Sequence, residues 1–350
     1  MHNMRIGLAF NPFPEAYARG EGNTDKYAEF DSMDTINTIK EAIQSGGHEV
    51  VLIEADDKAY EKLRDSKLDF VFNMAEGYHG ESRESHIPAM LEMLRIPYTG
   101  SGILTLAIGL DKARTKEILS YNKIPTPKFQ LFKSSDEPLK KGMKFPLIVK
   151  PNSEGSSKGI TEKSLVKNQE ELRRRVDFIN KNYNEPAIAE EFLDGREFTV
   201  SLIGNPPEAM PIVELAFDKL PPGVPRFDCY EVKWVWDSPG SEIEMVFCPA
   251  KIGKKLEDRI KKMAIDAFNA LDCLDFGRVD IRLDSKGVPN VIEVNPIPGL
   301  MPDPKENSRF PKSCYAAGMT YSEMILRMLG SAMQRVKNTK IKQIEGVNQG

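Results

Sequence analysis

A chain of 350 residues is long for one hydrophobic core and divides naturally into two or three domains. With 40% apolar and 29% charged residues it has the composition of an ordinary globular protein, and a net charge of −4 excludes a generic nucleic-acid-binding surface. Four scattered cysteines without a Cys-x-x-Cys pair, no leader at the start and no apolar run of the roughly 18 residues that span a bilayer predict a cytoplasmic protein without disulfides, structural zinc or a membrane anchor.

Met4 to Phe10 and Glu49 to Glu54 are short apolar runs of the kind that form a parallel sheet. Between them, Ile36, Ile39 and Ile43 at helical spacing predict a helix that starts near Asp34 and closes at Gly46-Gly47. A third strand is expected over Asp69 to Asn73. Residues 1–100 thus read as a parallel α/β domain that would bind ligand at the C-terminal edge of its strands. Two polar loops lie on that edge. Asn11 to Asp31 carries Glu15, Glu21 and Glu29, among which the sequence does not choose; the loop after Asn73 carries Glu76, His79, Arg83 and Glu84, each as readily solvated as ligand-facing. The helix that follows ends before Ile96-Pro97.

Ile108 to Tyr121 reads as one helix, ended by Pro125 and Pro127, and belongs to a second unit, 101–188. A strand is expected around Lys128 to Phe132. Another, Pro146 to Lys150, delivers Lys150 into a small-residue loop whose Ser156, Ser157 and Gly159 could fold backbone amides over phosphates, although an ordinary flexible linker has the same composition. Leu165 to Asn182 looks helical. Ala187 to Ile203 reads as strand, turn, strand and crosses into a third unit, 189–334. The backbone of Glu190, Glu191, Phe192 and Leu193 could meet a flat heterocycle there, and Glu197 could accept from ribose hydroxyls. Phe227 to Trp234 reads as a mobile flap rather than core, with Lys233 able to close over a phosphate. Helices are expected over Lys251 to Leu271 and Thr320 to Met333, and 335–350 is expected to be a disordered tail.

Gly277 to Gly299 is a pair of alternating runs around Asp284-Ser285-Lys286-Gly287 and predicts a β-hairpin. Pairing Leu283 with Val288 sets Arg278 opposite Glu293 and puts Arg278, Asp280, Glu293 and Asn295 on one face. Diagonal neighbours roughly 7 to 8 Å apart could bridge one hard divalent cation, or two sharing Glu293. Val279, Ile281, Leu283, Val288, Ile292 and Val294 form the apolar face that would hold these ligands still; the plainer alternative is a solvated hairpin face.

In this order the segments resemble the D-alanine-D-alanine ligase family of the ATP-grasp superfamily. The resemblance is carried by IPYTGSG at Ile96 to Gly102, LDKARTK at Leu110 to Lys116, FPLIVKP at Phe145 to Pro151 and EGSSKG at Glu154 to Gly159. It continues in EEFLDGREFTV from Glu190, YEVKW from Tyr230, GRVDIRLD from Gly277 and EVNPIPG from Glu293. It implies an α/β chain, α+β in its ATP-grasp part, with three domains and ATP clamped between the second and third. It also implies that Lys112 and Lys150 contact phosphates and that the Glu190 to Leu193 segment and Glu197 hold adenosine. Asp280, Glu293 and Asn295 would bind two Mg²⁺ ions, Mn²⁺ being an acceptable substitute. Lys233 would meet the γ-phosphate, Arg278 the developing oxyanion, and Ser156 the substrate.

The implied reaction activates a carboxylate as an acyl phosphate and joins it to an amine, with amino acids as substrates and a homodimer as the expected assembly. Departures fall in the substrate half. Ala75-Glu76-Gly77 and Glu81-Ser82-Arg83-Glu84 replace the family's His-Gly and Glu-Asp-Gly signatures, and Trp234 stands where tyrosine is usual. Glu29, Glu76, Arg83, Trp234, Gly299 and Ser308 are the candidate substrate contacts. Two alternatives follow: a ligase joining other amino acids or a peptide, and a nucleotide-binding module without catalysis.

Overall fold

The structure is a computed structural model and describes residues 3–14, 25–237 and 243–347. Strands β1 (Arg5–Phe10), β2 (Glu49–Glu54) and β3 (Phe70–Asn73) form a parallel sheet in the order β2-β1-β3. Helix α1 (Met33–Ser45) starts where the Ser32 hydroxyl accepts from Thr35 N at 3.1 Å, one residue before the expected start. It buries Ile36, Ile39 and Ile43 completely, each contributing about 2 kcal/mol. Two more helices complete this unit: α2 (Ala59–Asp65), which the sequence reading missed, and α3 (His86–Leu94).

The helix expected over Ile108 to Tyr121 is two helices, α4 (Ile103–Leu110) and α5 (Lys112–Tyr121). Asp111 separates them. Its extended backbone (φ −82°, ψ 98°) frees its carboxylate to accept from Arg114 N at 3.0 Å and so cap α5. Strands β4 (Phe129–Phe132), β5 (Leu147–Pro151), β6 (Leu165–Val166) and β7 (Ala187–Glu191) form an antiparallel sheet in the order β4-β7-β5-β6. Helix α6 (Gln169–Tyr183) covers it with Leu172, Val176 and Ile179, so Leu165 and Val166 belong to the sheet and not to the helix.

The third sheet has the path β11 (Val246–Phe247), β10 (Val213–Leu215), β8 (Glu197–Ile203), β12 (Phe276–Leu283), β13 (Pro289–Asn295), with β9 (Glu208–Ala209) paired to β8. Helix α7 (Lys254–Ala270) packs Ile260, Met263, Ala264, Ala267 and Phe268 against it. Strands β7 and β8, read as strand, turn, strand, lie in different sheets, because 192–196 crosses from one to the other. The flap is partly core: Phe227, Cys229 and Val232 are buried with Val213, Leu215 and Val246, and the segment runs into a π-turn at Val232–Trp236.

After α8 (Arg309–Ala316), α9 (Tyr321–Val347) returns to the first sheet. The stretch from 335, expected to be disordered, continues α9 as helix to Val347. Met324, Ile325, Met328 and Leu329 pack in one core with Ile36, Ile39 and Phe276, whose ring stacks on Phe72 at 6.2 Å. Arg335 then secures the helix. It donates to both oxygens of the fully buried Asp275, at 2.9 and 2.7 Å, and to the Tyr98 carbonyl at 2.9 Å. Among the described residues no helix is long and apolar enough to cross a membrane.

Candidate active site

The site is built on the β12–β13 hairpin, whose register differs from the expected one. Arg278 pairs with Asn295 and Asp280 with Glu293; the pairing then slips at a bulge, and Ile281 meets Val291. The turn is the first cause. The Asp284 carboxylate accepts from Lys286 N and Val288 N at 2.9 and 2.8 Å, which draws Val288 into the turn and makes Leu283 and Pro289 the closing pair. The bulge is the second. It leaves Ile292 without a partner, and its side chain lines the cleft instead of the apolar face. Val279, Ile281, Leu283, Val291 and Val294 keep that apolar face buried.

Asp280 and Glu293 therefore sit directly opposite each other, facing the cleft with Arg278 and Asn295. Arg278 donates to both Asp280 oxygens at 3.1 and 3.0 Å, Asn295 Nδ2 to Oδ2 at 3.1 Å and Thr199 Oγ1 to Oδ1 at 2.7 Å. Burial alone would raise the Glu293 carboxyl, but Lys112 at 2.9 Å, aided by Lys150 and Arg278, overrides it and holds the pKa at about 2.

The lysines are assembled by the start of α5. Asn152, just past β5, accepts from Lys112 N through its carbonyl (3.1 Å) and from Ala113 N through its side chain (3.0 Å), and donates to Asp111 at 2.9 Å. This brings Lys112 beside Lys150. Lys150 and Lys116 share the buried Glu190, at 3.0 and 3.2 Å. Lys116, fully buried, also donates to Thr126 Oγ1 and to the Ile292 carbonyl, both at 3.0 Å. The bulge freed that carbonyl from the strand ladder, and Lys116 satisfies it. Burial pulls Lys116 down to about 8 despite Glu190. No role was assigned to this lysine from the sequence, although the LDKARTK motif contains it; its place at helical spacing from Lys112 was the available signal.

The loop after Lys150 holds Ser156 and Ser157 at positive φ, 48° and 62°. It is docked on both sides. Ser157 Oγ donates to the Asp228 carbonyl of the flap at 3.1 Å, and Gly155 N donates to Glu29 Oε1 at 2.6 Å. A Cβ at Gly155 would lie 2.5 Å from that oxygen, so a larger residue would push the Glu29 carboxylate off the amide. Arg83 donates to Glu29 at 2.8 and 2.9 Å and to Glu154 at 2.9 Å, while Lys158 bonds both carboxylates at 3.1 and 2.5 Å. Burial would raise the Glu29 carboxyl, yet Arg83 and Lys158 hold it below its ordinary value.

These elements enclose one cleft of about 420 Å³. Lys112, Lys150, Lys233, Arg278, Asp280, Glu293 and Asn295 line it together. Residues 118–330 match the family described as D-ala D-ala ligase C-terminus. The chain is 31% identical over 314 residues to the D-alanine-D-alanine ligase of Pelotomaculum thermopropionicum, covering 87% of this chain and 92% of that one. It belongs to the D-alanine-D-alanine ligase family. It is also 35% identical over 310 residues to the uncharacterized protein y4sG of Sinorhizobium fredii, covering 85% of this chain and 87% of that one. The D-alanine-D-alanine ligase of Bacillus anthracis superposes with a TM-score of 0.73 at 26% identity, covering 96% of this chain and 99% of that one. A second structure of that enzyme, complexed with ATP, gives 0.72 at 24% identity, covering the same shares of the two chains.

In this member of the D-alanine-D-alanine ligase family the expected contacts are distributed as follows. The Glu190 to Leu193 segment lines the cleft, as do Ser156, Ser157 and Glu197, the last held by Arg282 Nη1 at 3.0 Å. Burial outweighs that guanidinium and raises Glu197 to about 7. Ser308 Oγ donates to the Gly299 carbonyl at 3.0 Å, bringing two expected substrate contacts together at the rim. Glu29 and Glu76 line the opposite wall, whereas Arg83 is not on the surface of the cleft and serves Glu29 and Glu154. Glu15, Glu21 and the side chain of Trp234 lie outside the described residues. Arg309, which the sequence reading passed over, lines the cleft beside Ser308 and donates to both Asp228 oxygens at 3.1 Å. Among the described residues no group of three or more His, Cys, Asp or Glu is arranged to hold a metal ion. Asp280, Glu293 and Asn295 nevertheless supply oxygen donors on one face, a hard set that fits Mg²⁺, and their carboxylates are here engaged by Arg278 and Lys112.

Proposed function

We propose that this protein is an ATP-dependent carboxylate-amine ligase of the D-alanine-D-alanine type, forming a peptide bond through an acyl phosphate. One observation supports it above the others. Four cations, Lys112, Lys150, Lys233 and Arg278, line a single cleft together with the facing carboxylates Asp280 and Glu293. Phosphoryl transfer requires in-line positioning and charge neutralisation rather than covalent participation by the protein, and such a wall supplies both.

ATP would lie between the central 101–188 and C-terminal 189–334 units, with its phosphates along Lys112, Lys150 and the loop amides of Ser156 and Ser157. The Glu190 to Leu193 backbone would hold adenine and Glu197 the ribose. A substrate carboxylate would attack the γ-phosphorus, breaking the bond to ADP. Lys233 would face the departing phosphoryl group, and burial followed by repulsion from Arg309 lowers this lysine to about 8. The amine of a second substrate would then attack the acyl phosphate carbonyl, Arg278 would stabilise the oxyanion, and inorganic phosphate would leave. Mg²⁺ held by Asp280, Glu293 and Asn295 would neutralise triphosphate charge when bound.

The test is phosphate release from ATP, measured with Mg²⁺ across single amino acids and pairs. Turnover with D-alanine, by itself or with a second amino acid, is the expected result. Turnover only with other pairs would move the assignment to a different amino-acid ligase, and silence with every pair would overturn it.

A further inference from the structure

At the end of the cleft formed by the first sheet, five carboxylates line the wall: Glu29, Asp31, Glu76, Glu84 and Glu154. Arg83 and Lys158 neutralise two of them, Glu29 and Glu154. Among the described residues, the carboxylates of the other three make no hydrogen bond or ion pair. Glu84 is the most telling, because it is only 8% exposed, faces the cleft and has no partner; the nearby cations are Arg83, already shared by two carboxylates, and Lys112, paired with Glu293. Glu76 is close enough to feel repulsion from Glu84, Glu29 and Asp31. Three acids that face a cavity without a cation of their own among the described residues make it a site for a cation.

The chemistry of the walls favours an organic cation over a metal ion. Among the described residues no cluster of carboxylates is arranged for metal coordination. Phe13, Phe30 and Met74 line the same end, offering apolar surface to an alkyl chain and, from the two rings, faces that attract an ammonium group. We infer that this pocket selects a diamino acid as one of the two ligated substrates, its side-chain ammonium bound by Glu84 and Glu76 with Asp31 nearby. The inference rests on the ligase reading above and specifies its substrate class. The electrostatics agree. Burial, reinforced for Glu84 by Glu29, raises Glu84 to about 8 and Asp31 to about 7, so without a cation both hold protons near neutrality, and an arriving ammonium would expel them.

The experiment compares lysine and ornithine, in both enantiomers, with their uncharged isosteres norleucine and norvaline, each offered with D-alanine, ATP and Mg²⁺. Phosphate release should favour the charged member by about tenfold or more in kcat/KM, and Glu84→Gln should reduce that preference by about tenfold, with Glu76→Gln acting in the same direction. A purely structural effect would lower both rates and leave their ratio unmoved. Calorimetry of lysine binding in buffers of different ionisation enthalpy should show proton release that Glu84→Gln diminishes. A wild-type ratio near one, or a ratio that neither substitution changes, overturns the inference. If no amino-acid pair turns over, the ligase reading fails by itself; lysine binding no tighter than norleucine in the same calorimeter then overturns this one, and tighter binding that Glu84→Gln abolishes sustains it.

Discussion

Glu293→Gln removes one negative charge from the centre of the cleft without changing the side chain's shape. Lys112, Lys150 and Arg278 together carry the Glu293 pKa from its ordinary 4.5 down to about 2 despite burial, so its ionised form is favoured in the folded protein. That difference corresponds to about 3 kcal/mol, and the side chain is only 24% exposed, so solvent screens little of it. The substitution also leaves the buried Lys112 ammonium with the Glu154 carbonyl as its remaining close partner. Urea denaturation at pH 7, without nucleotide or metal, should show the variant less stable by about 3 kcal/mol. The sign of the pH dependence follows from the lowered value. The contribution is fully present above 4.5 and is lost as pH falls toward 2, so at pH 3 the gap should shrink to about half or less of its value at pH 7. Wild type and variant unfolding at the same urea concentration at pH 7 would refute the electrostatic account of the hairpin.

Two other substitutions test the framework around the cleft. Glu190→Gln strands both Lys116 and Lys150 and should cost about 3 to 5 kcal/mol at pH 7. Lys116 already sits at about 8 and would fall further, so it should be neutral by pH 9 and the deficit should narrow between pH 7 and 9; a deficit constant across that range would place the loss elsewhere. Arg335→Met removes the cation from Asp275, which keeps donors from Gly100 N at 2.8 Å and Asn205 Nδ2 at 2.6 Å, so the expected loss is about 2 kcal/mol. Hydrogen exchange should locate it at the end of α9 and its seat on α1; unchanged protection there would mean that apolar packing alone holds the helix.

The strands of the first sheet were legible because each is a short apolar run bounded by turn residues, and the helix across them because Ile36, Ile39 and Ile43 repeat at helical spacing. The break at Asp111 was not, since a single capping aspartate leaves the apolar spacing on either side almost undisturbed. The C-terminal stretch misled for a related reason: its polar composition hid the Arg335 to Asp275 pair, which joins residues 60 positions apart.

By itself the sequence determined that the four polar residues of the hairpin share one face. Alternation along a strand is a local property, and it put Arg278, Asp280, Glu293 and Asn295 on one face whatever the exact pairing. Only the tertiary structure decided how they meet. A bulge at Ile292 and a turn closed by Asp284 set Asp280 against Glu293, and Lys116 from a distant helix caps the carbonyl that the bulge exposes. Hydrogen-bond satisfaction across three elements fixes that geometry, and no short window of sequence contains all three.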